Sequence, residues 1–132
     1  MTLAIDASLV VAALVDSGTE GTWADELLGS DTLVAPHLLP VEVDNVLRRA
    51  AIAGDISADS ASLAHADLLA LRIDLFAYES FAERVWELRE TISAYDAWYV
   101  ALAESVGAPL APLDRRLARS QSARCRFITS NG

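Results

Sequence analysis

The feature that most constrains the fold of this chain is a repeated alternation of short, extended apolar segments with longer segments of helical periodicity. The run from Thr2 to Ile5 is of the β type, and the apolar residues that follow Asp6 recur at helical spacing. Neighbouring parallel strands need crossover connections, which are usually helices. This order therefore predicts the α/β class, a three-layer sandwich with helices on both faces of a short, mainly parallel central sheet.

Hydrophobic periodicity and breaker residues place the remaining elements along the chain. Helices are predicted over Thr19 to Leu28, Leu38 to Ala53, Ser57 to Arg72, Glu79 to Thr91, Ser93 to Gly107 and Asp114 to Ser120. Strands are predicted over Thr32 to Ala35, Ile73 to Ala77, Pro109 to Pro112 and Arg126 to Thr129. No repeat or linker interrupts this order, so residues 1–132 are expected to form a single domain.

Composition excludes several classes of protein. A hydrophobic share of 53% with 22% charged residues is typical of a globular chain. The apolar runs are shorter than the roughly 18 to 20 residues that a bilayer span needs. No Lys or Arg precedes Arg48, which argues against a secretory signal, and the only cysteine, Cys125, cannot form an internal disulfide. We therefore expect a cytoplasmic protein with no membrane partner.

Charge restricts how this chain can bind a nucleic acid. The formal net charge of −9 argues against a protein that coats itself in positive charge to neutralise phosphates. All ten basic residues are arginine, and half of them lie close to the C-terminus: Arg115, Arg116, Arg119, Arg124 and Arg126. This group is either a local basic patch on an acidic body or a solvated helix end.

Four acidic residues occur where an α/β sheet would bring them together. In open α/β sheets the ligand site lies beyond the carboxyl ends of the strands. Asp6 and Asp114 each follow a predicted strand and precede a helix, Asp96 lies near the start of another helix, and Glu42 borders the apolar face of the long third helix. Taken singly, Asp6, Asp96 and Asp114 fit helix caps, and Glu42 fits a solvated glutamate or a partner of Arg49.

Taken together, the four acids indicate a metal site. Clustered carboxylates repel one another, so a site that holds several is expected to contain a hard cation. Oxygen ligands suit Mg²⁺ or Mn²⁺, whereas one cysteine and two scattered histidines argue against zinc. His37 and His65 are accordingly interpreted as structural or surface residues.

The same four acids lie in stretches that resemble the acidic motifs of PIN domains, in particular those of VapC-type toxins of toxin–antitoxin pairs. These stretches are Ile5 to Ser8 (IDAS), Val41 to Arg49 (VEVDNVLRR), Tyr95 to Ala103 (YDAWYVALA) and Leu113 to Leu117 (LDRRL). The resemblance spans the whole chain and keeps the family's motif order. It implies a PIN-like fold and an endoribonuclease, dependent on Mg²⁺ or Mn²⁺, that hydrolyses RNA phosphodiester bonds with metal-activated water.

The resemblance also implies roles for individual residues. The catalytic acids would be Asp6, Glu42, Asp96 and Asp114. Of these, Asp6, Asp96 and Asp114 would bind the metal, and Ser8 would lie beside it.

Two residues depart from the family pattern. Pro112 stands where the family commonly has threonine, and Arg116 stands where a further acidic or amide residue often follows. The number of metal ions is therefore left open. Arg115 or Arg116 is expected to contact the substrate phosphate instead.

Partners and alternatives follow from the same resemblance. It implies a small cognate antitoxin whose C-terminal segment lies between the first helices and the long third helix, and it implies a homodimer. Phosphoreceiver, haloacid-dehalogenase-like and P-loop enzymes rely on a lysine, and this chain has none. The remaining alternative is a catalytically degenerate PIN-like module that binds an antitoxin or RNA without cleaving it.

The aromatic side chains could stack on RNA bases, but their helical spacing with Leu and Val favours packing in the core. Of these residues, Trp23 is expected to be the most exposed.

Overall fold

A single four-stranded sheet organises the fold. The computed structural model describes residues 1–30, 32–112, 115–120 and 122–129, with the backbone alone for residues 115 and 116. Its strands are β1 (Thr2–Ile5), β2 (Thr32–Pro36), β3 (Ile73–Phe76) and β4 (Leu110–Ala111). They lie in the order β3-β2-β1-β4, and every neighbouring pair is parallel. The predicted α/β class and its parallel sheet are confirmed.

Helices connect the strands in every crossover. The connecting helices are α1 (Ala7–Val15), α2 (Thr19–Leu27), α3 (Leu39–Ala53), α4 (Ala58–Ala70), α5 (Ala82–Glu87) and α6 (Ala94–Val106), and a further helix, α7 (Arg115–Ala118), follows β4. A 3₁₀ turn, Glu79–Phe81, precedes α5. In the described ranges, no helix is long and apolar enough to cross a bilayer.

The direction of the crossovers explains the layers of the fold. The chain passes from β1 to β2 to β3 in one direction across the sheet and then returns past both to β4. Because parallel crossovers are right-handed, the first two connections place α1 to α4 on one face and the returning connection places α5 and α6 on the other. The strand order reverses between β1 and β4, which is where ligand sites form in such sheets.

Local sequence signals fix the ends of several helices. The side chains of Asp6, Ser57 and Ser93 each accept a hydrogen bond from a backbone amide in the first turn of α1, α4 and α6. Gly54 and Gly107 end α3 and α6 with positive φ angles of 82° and 68°, a conformation that favours glycine. These helix ends match the sequence-based expectations.

The core lies between the sheet and both helical layers. β1 is a central strand, so Leu3 and Ile5 are completely buried. The apolar faces of the helices cover the sheet, with Leu9 from α1, Val43 from α3 and Leu102 from α6 among the completely buried residues. Burial of these aliphatic side chains contributes roughly 1.5–3 kcal/mol each to folding.

Several predicted elements are shorter in the structure, including the strand expected from Pro109 to Pro112, which spans Leu110–Ala111, and two others differ more. The helix expected from Glu79 to Thr91 ends at Glu87. The β-branched pair Thr91 and Ile92 favours a helix weakly. The strand expected from Arg126 to Thr129 is reduced to one parallel bridge between Leu110 and Phe127, because its partner β4 has only two residues.

A partly buried ion pair ties the C-terminal segment to α5 and α6. Arg84 donates from Nε to Glu104 Oε1 at 2.7 Å and from Nη2 to Oε2 at 3.0 Å. The same guanidinium donates to the Ser122 carbonyl at 2.9 Å, and the Arg124 amide donates to Glu104 Oε2 at 2.6 Å. The hydrogen bond to Glu104 raises the pKa of Arg84 above its ordinary value, so the arginine stays charged. We call this group the Arg84–Glu104 clamp.

Candidate active site

An open cleft of about 570 Å³ lies beside the carboxyl end of β1. Three of the four predicted acids line it: Asp6 at the start of α1, Glu42 in α3 and Asp96 in α6. Ser8 and Tyr99 line the same cleft. We call this space the acidic cleft. It lies at the sheet edge where the α/β topology leads us to expect a site.

Asp6 is held in place by its own helix. It is 92% buried, with a relative exposure of 8%. Its Oδ1 accepts hydrogen bonds from the Leu9 amide at 2.9 Å and from Ser8 Oγ at 2.8 Å. The capping role expected for Asp6 is therefore confirmed, and it coexists with a position in the cleft. Ser8 thus lies beside Asp6, and its expected place beside a metal ion stays a prediction.

Glu42 is held by Tyr99, across 57 positions of sequence. Tyr99 Oη donates to Glu42 Oε1 at 2.6 Å. Burial raises the pKa of Tyr99 well above 10.0, and the hydrogen bond to Glu42 and the charges of Asp6 and Asp96 add to this effect. The phenol therefore stays protonated and holds the Glu42 carboxylate as a hydrogen-bond donor.

Asp96 occupies the first turn of α6, and its amide donates to Ser93 Oγ at 3.1 Å. The expected capping interaction is present, and the Asp96 side chain still lines the acidic cleft. Asp6, Glu42 and Asp96 thus lie at the N-termini of three different helices. Helix dipoles stabilise negative charge at these positions, which offsets part of the repulsion among the three carboxylates.

The donor set suits a hard cation, although the described residues supply only part of it. Asp6, Glu42 and Asp96 offer carboxylate oxygens, the ligands that Mg²⁺ and Mn²⁺ favour. Among the residues that the structure describes, no three Asp, Glu, His or Cys side chains are arranged to hold a metal ion. The fourth predicted acid, Asp114, lies outside the described residues.

The segment after β4 begins at this edge of the sheet. Pro112, one of the two departures from the family pattern, is fully buried directly after β4. Arg115 and Arg116, the expected phosphate contacts, begin α7, and their side chains lie outside the described part of the chain.

The aromatic residues meet the sequence-based expectations only in part. Tyr99 packs in the core at 3% exposure, as expected, and its hydroxyl also binds a candidate catalytic acid. The expectation that Trp23 is the most exposed is wrong, because Trp23 is partly buried whereas Trp86, Tyr95 and Tyr78 are exposed, at 67%, 62% and 41%. The signal for Tyr99 was its position three residues after Asp96, which places both on one face of α6.

Comparison with known proteins identifies the family. The PIN domain profile matches residues 3–121. The chain belongs to the PIN domain family. The resemblance inferred from the four acidic motifs is thereby confirmed.

Individual relatives support this assignment over most of their length. This PIN domain is 39% identical to Ribonuclease VapC1 of Mycobacterium tuberculosis, over 93% of each chain. The crystal structure of PAE2754 from Pyrobaculum aerophilum aligns with a TM-score of 0.74 at 23% identity, covering 98% of this chain and 84% of that one. VapBC2 of Rickettsia felis, solved bound to a promoter DNA fragment, aligns with a TM-score of 0.65 at 12% identity over 98% of each chain. The two structures show that the fold is shared.

Proposed function

We propose that this PIN domain is the toxin of a toxin–antitoxin pair, an endoribonuclease that hydrolyses RNA phosphodiester bonds with the aid of Mg²⁺ or Mn²⁺. The observation that carries the proposal is the convergence of Asp6, Glu42 and Asp96 on one cleft from three separate helices. Membership in a family that includes VapC ribonucleases supports it.

Asp6 and Asp96 are proposed as metal ligands, together with Asp114. A divalent ion bound there would lower the pKa of a coordinated water and neutralise charge that develops on the phosphate. Asp6 brings a carboxylate that the Leu9 amide and Ser8 already hold in one orientation. This preorganisation reduces the rearrangement that metal binding would require.

Glu42 is proposed to orient the attacking water and to accept its proton. The hydrogen bond from Tyr99 fixes one oxygen of the Glu42 carboxylate, which leaves the other for the water. Ser8 is proposed to support the metal site through Asp6. Arg115 and Arg116 are proposed to contact the substrate phosphate, since paired guanidinium N–H groups match phosphate oxygens.

Three partners complete the proposal: an RNA substrate, a cognate antitoxin and a second copy of this chain. A net charge of −9 suits a basic antitoxin segment. The space between α1 and α3 is the proposed place for that segment, where an arginine from the antitoxin would pair with the acids. The relation to VapC1 and to the VapBC2 complex supports the antitoxin.

The proposal is tested by cleavage of total RNA with the purified protein, freed of any antitoxin, in Mg²⁺, Mn²⁺ or EDTA. Wild type is expected to cut with metal and to stop in EDTA, and Asp96→Asn is expected to lose the activity in both metals. Asp25→Asn, which neutralises an exposed aspartate of α2 outside the cleft, should cut like wild type. Folded wild type that cuts nothing with either metal would refute the nuclease and favour a binding module.

A second prediction concerns Tyr99. Tyr99→Phe removes the hydroxyl and keeps the buried ring, so the core packing should survive and only the hydrogen bond to Glu42 is lost. A hydrogen bond to a charged group is worth about 1.5–3 kcal/mol, so kcat for RNA cleavage should fall roughly 10- to 100-fold with KM nearly unchanged.

The matched control for Tyr99→Phe is Tyr78→Phe, which removes the hydroxyl of a tyrosine that is 41% exposed and does not line the cleft. Steady-state cleavage of a short labelled RNA measures both variants. Equal kcat values for the two would contradict a role for Tyr99 in holding Glu42.

A further inference from the structure

The acidic cleft continues beyond the carboxylates as a trough between α1 and α3. Both helices begin at the carboxyl edge of the sheet, after β1 and β2, and they pack against each other. Each lines the cleft with residues at positions i, i+3, i+4 and i+7, which is one face of a helix. The lining residues are Ser8, Val11, Ala12 and Val15 from α1, and Glu42, Asn45, Val46 and Arg49 from α3.

The chemistry of this trough changes along its length. The end at the sheet edge is acidic, the middle is apolar through Val11 and Val46, and the far end carries the guanidinium of Arg49. Arg49 lies seven positions after Glu42, a distance of about 10 Å along a helix axis. Arg49 is exposed, and among the described residues its side chain makes no ion pair or hydrogen bond. The pairing with Glu42 considered from the sequence is not formed.

We propose that Arg49 is a phosphate subsite for the RNA strand, separate from the phosphate contact assigned to Arg115 and Arg116. The inference rests on the proposed function, which places the phosphate that is cut at the acidic end of the cleft. A stacked strand advances about 3.4 Å per nucleotide, so 10 Å corresponds to about three nucleotides, or fewer in an extended strand. Arg49 then binds a phosphate one to three nucleotides from the bond that is cut.

Charge favours RNA as the occupant of this end of the trough. In a protein of net charge −9, Arg49 is the one cation that lines the cleft within its described residues. RNA carries an anion at every nucleotide, and Val11 and Val46 offer an apolar wall for the intervening ribose and base. Asp16 also lines the far end, but its Oδ1 accepts the Gly18 amide at 2.7 Å, so this oxygen is engaged within its own turn.

The neighbouring Arg48 supplies a matched control. It is an exposed arginine of the same helix, but it faces the Asp44 and His65 side of α3 and not the trough. Arg48→Gln and Arg49→Gln remove the same charge at adjacent positions. Glutamine is nearly as good a helix former as arginine, so both variants are expected to fold, as circular dichroism would verify.

Binding of a short fluorescent single-stranded RNA tests the subsite without relying on cleavage. Anisotropy is measured over a range of salt concentrations with Ca²⁺ in place of Mg²⁺, and gels verify that the RNA stays intact. Arg49→Gln should weaken binding about tenfold and make the slope of log K against log salt shallower by about 0.7, the loss of one phosphate contact. Arg48→Gln should leave the slope unchanged.

Neutral methylphosphonates then locate the phosphate that Arg49 binds. The bond that is cut is first mapped with Mg²⁺. A single methylphosphonate placed one to three nucleotides from that bond should weaken RNA binding by the wild-type protein as much as Arg49→Gln does. In Arg49→Gln the same substitution should have no further effect, because the two changes remove one contact. If the wild-type protein binds the RNA but does not cut it, a methylphosphonate is placed at each position of the RNA in turn, and the binding of each RNA is measured.

The outcomes separate the subsite from the nuclease. If the wild-type protein cuts RNA with Mg²⁺ but Arg49→Gln and Arg48→Gln bind RNA equally well, the subsite proposal is wrong and the nuclease proposal is unaffected. If the wild-type protein never cuts RNA, and only Arg49→Gln loses one phosphate contact, the nuclease proposal is refuted and the subsite proposal is supported. If Arg49→Gln weakens only the binding of an antitoxin peptide, the arginine belongs to a protein interface and the proposal is wrong.

Discussion

Asp6→Asn is expected to lower the rate of RNA cleavage by about 10²- to 10³-fold and to leave the protein at least as stable as wild type. Asparagine caps a helix as well as aspartate does, so the hydrogen bond from the Leu9 amide survives the change. The lost charge is one of three carboxylates at the sheet end of the cleft, and its removal takes a proposed metal ligand away while relieving repulsion. Activity and stability therefore separate in this variant.

Cleavage rates and urea unfolding measure the two effects independently. Asp6→Ala serves as the comparison, because it removes both the charge and the cap. It should lose activity to the same extent and also lose about 1 kcal/mol of the free energy of unfolding. If Asp6→Asn cleaves RNA at the wild-type rate, Asp6 is only a helix cap and the proposed metal site needs another ligand.

Glu104→Ala is expected to destabilise the protein by about 2–4 kcal/mol, a large fraction of the stability of a small domain. The side chains of Arg84 and Glu104 are only 19% and 14% exposed. Removing the carboxylate leaves the partly buried Arg84 charge without its main partner and also frees the Arg124 amide. The C-terminal segment should therefore loosen first, and limited proteolysis should cut it before the rest of the chain.

Glu87→Ala is the control for this clamp. Glu87 also pairs with Arg84, at 3.2 Å, but its side chain is 62% exposed. Exposed pairs are worth less than about 1 kcal/mol, so this variant should unfold close to wild type in urea. Equal destabilisation by the two variants would mean that burial of the Arg84–Glu104 clamp contributes nothing.

The same clamp predicts a dependence of stability on pH. Burial alone raises the pKa of Glu104, but the hydrogen bonds from Arg84 and from the Arg124 amide outweigh burial and bring the pKa below 4.5. A carboxyl whose pKa falls on folding stabilises the protein above the unfolded-state pKa, and this contribution disappears as the pH falls through the folded-state value. The stability difference between wild type and Glu104→Gln should thus be constant above about pH 5 and shrink below about pH 4.5.

Signals that are local in sequence predicted much of the fold and part of the site. The caps at Ser57 and Ser93 and the stops at Gly54 and Gly107 depend on a few adjacent residues, and the structure contains all four. The three acids within the described residues share one cleft because parallel topology brings the carboxyl ends of strands to one edge. Their catalytic roles stay predictions.

Long-range contacts could not be predicted in the same way. Tyr99 has the sequence context of a core residue, and its hydrogen bond to Glu42 joins two helices that lie on opposite faces of the sheet. The Arg84–Glu104 clamp joins residues that are 20 positions apart on two helices, and neither residue carries a local signal for it. The last predicted strand was too long because pairing needs a partner of equal length, and β4 has two residues.

The strand β4 pairs with β1, the first strand of the chain, so the order in which the ribosome makes these elements affects when the cleft can form. β1 is made first, but its neighbour β4 is added only after about 100 further residues, and Asp96 comes shortly before it. At about 5–20 residues per second a ribosome needs roughly 5–20 s to cover that interval. A nascent chain therefore carries Asp6 and Glu42 before Asp96 and β4 exist, and a nuclease of this design would remain inactive until both have been made.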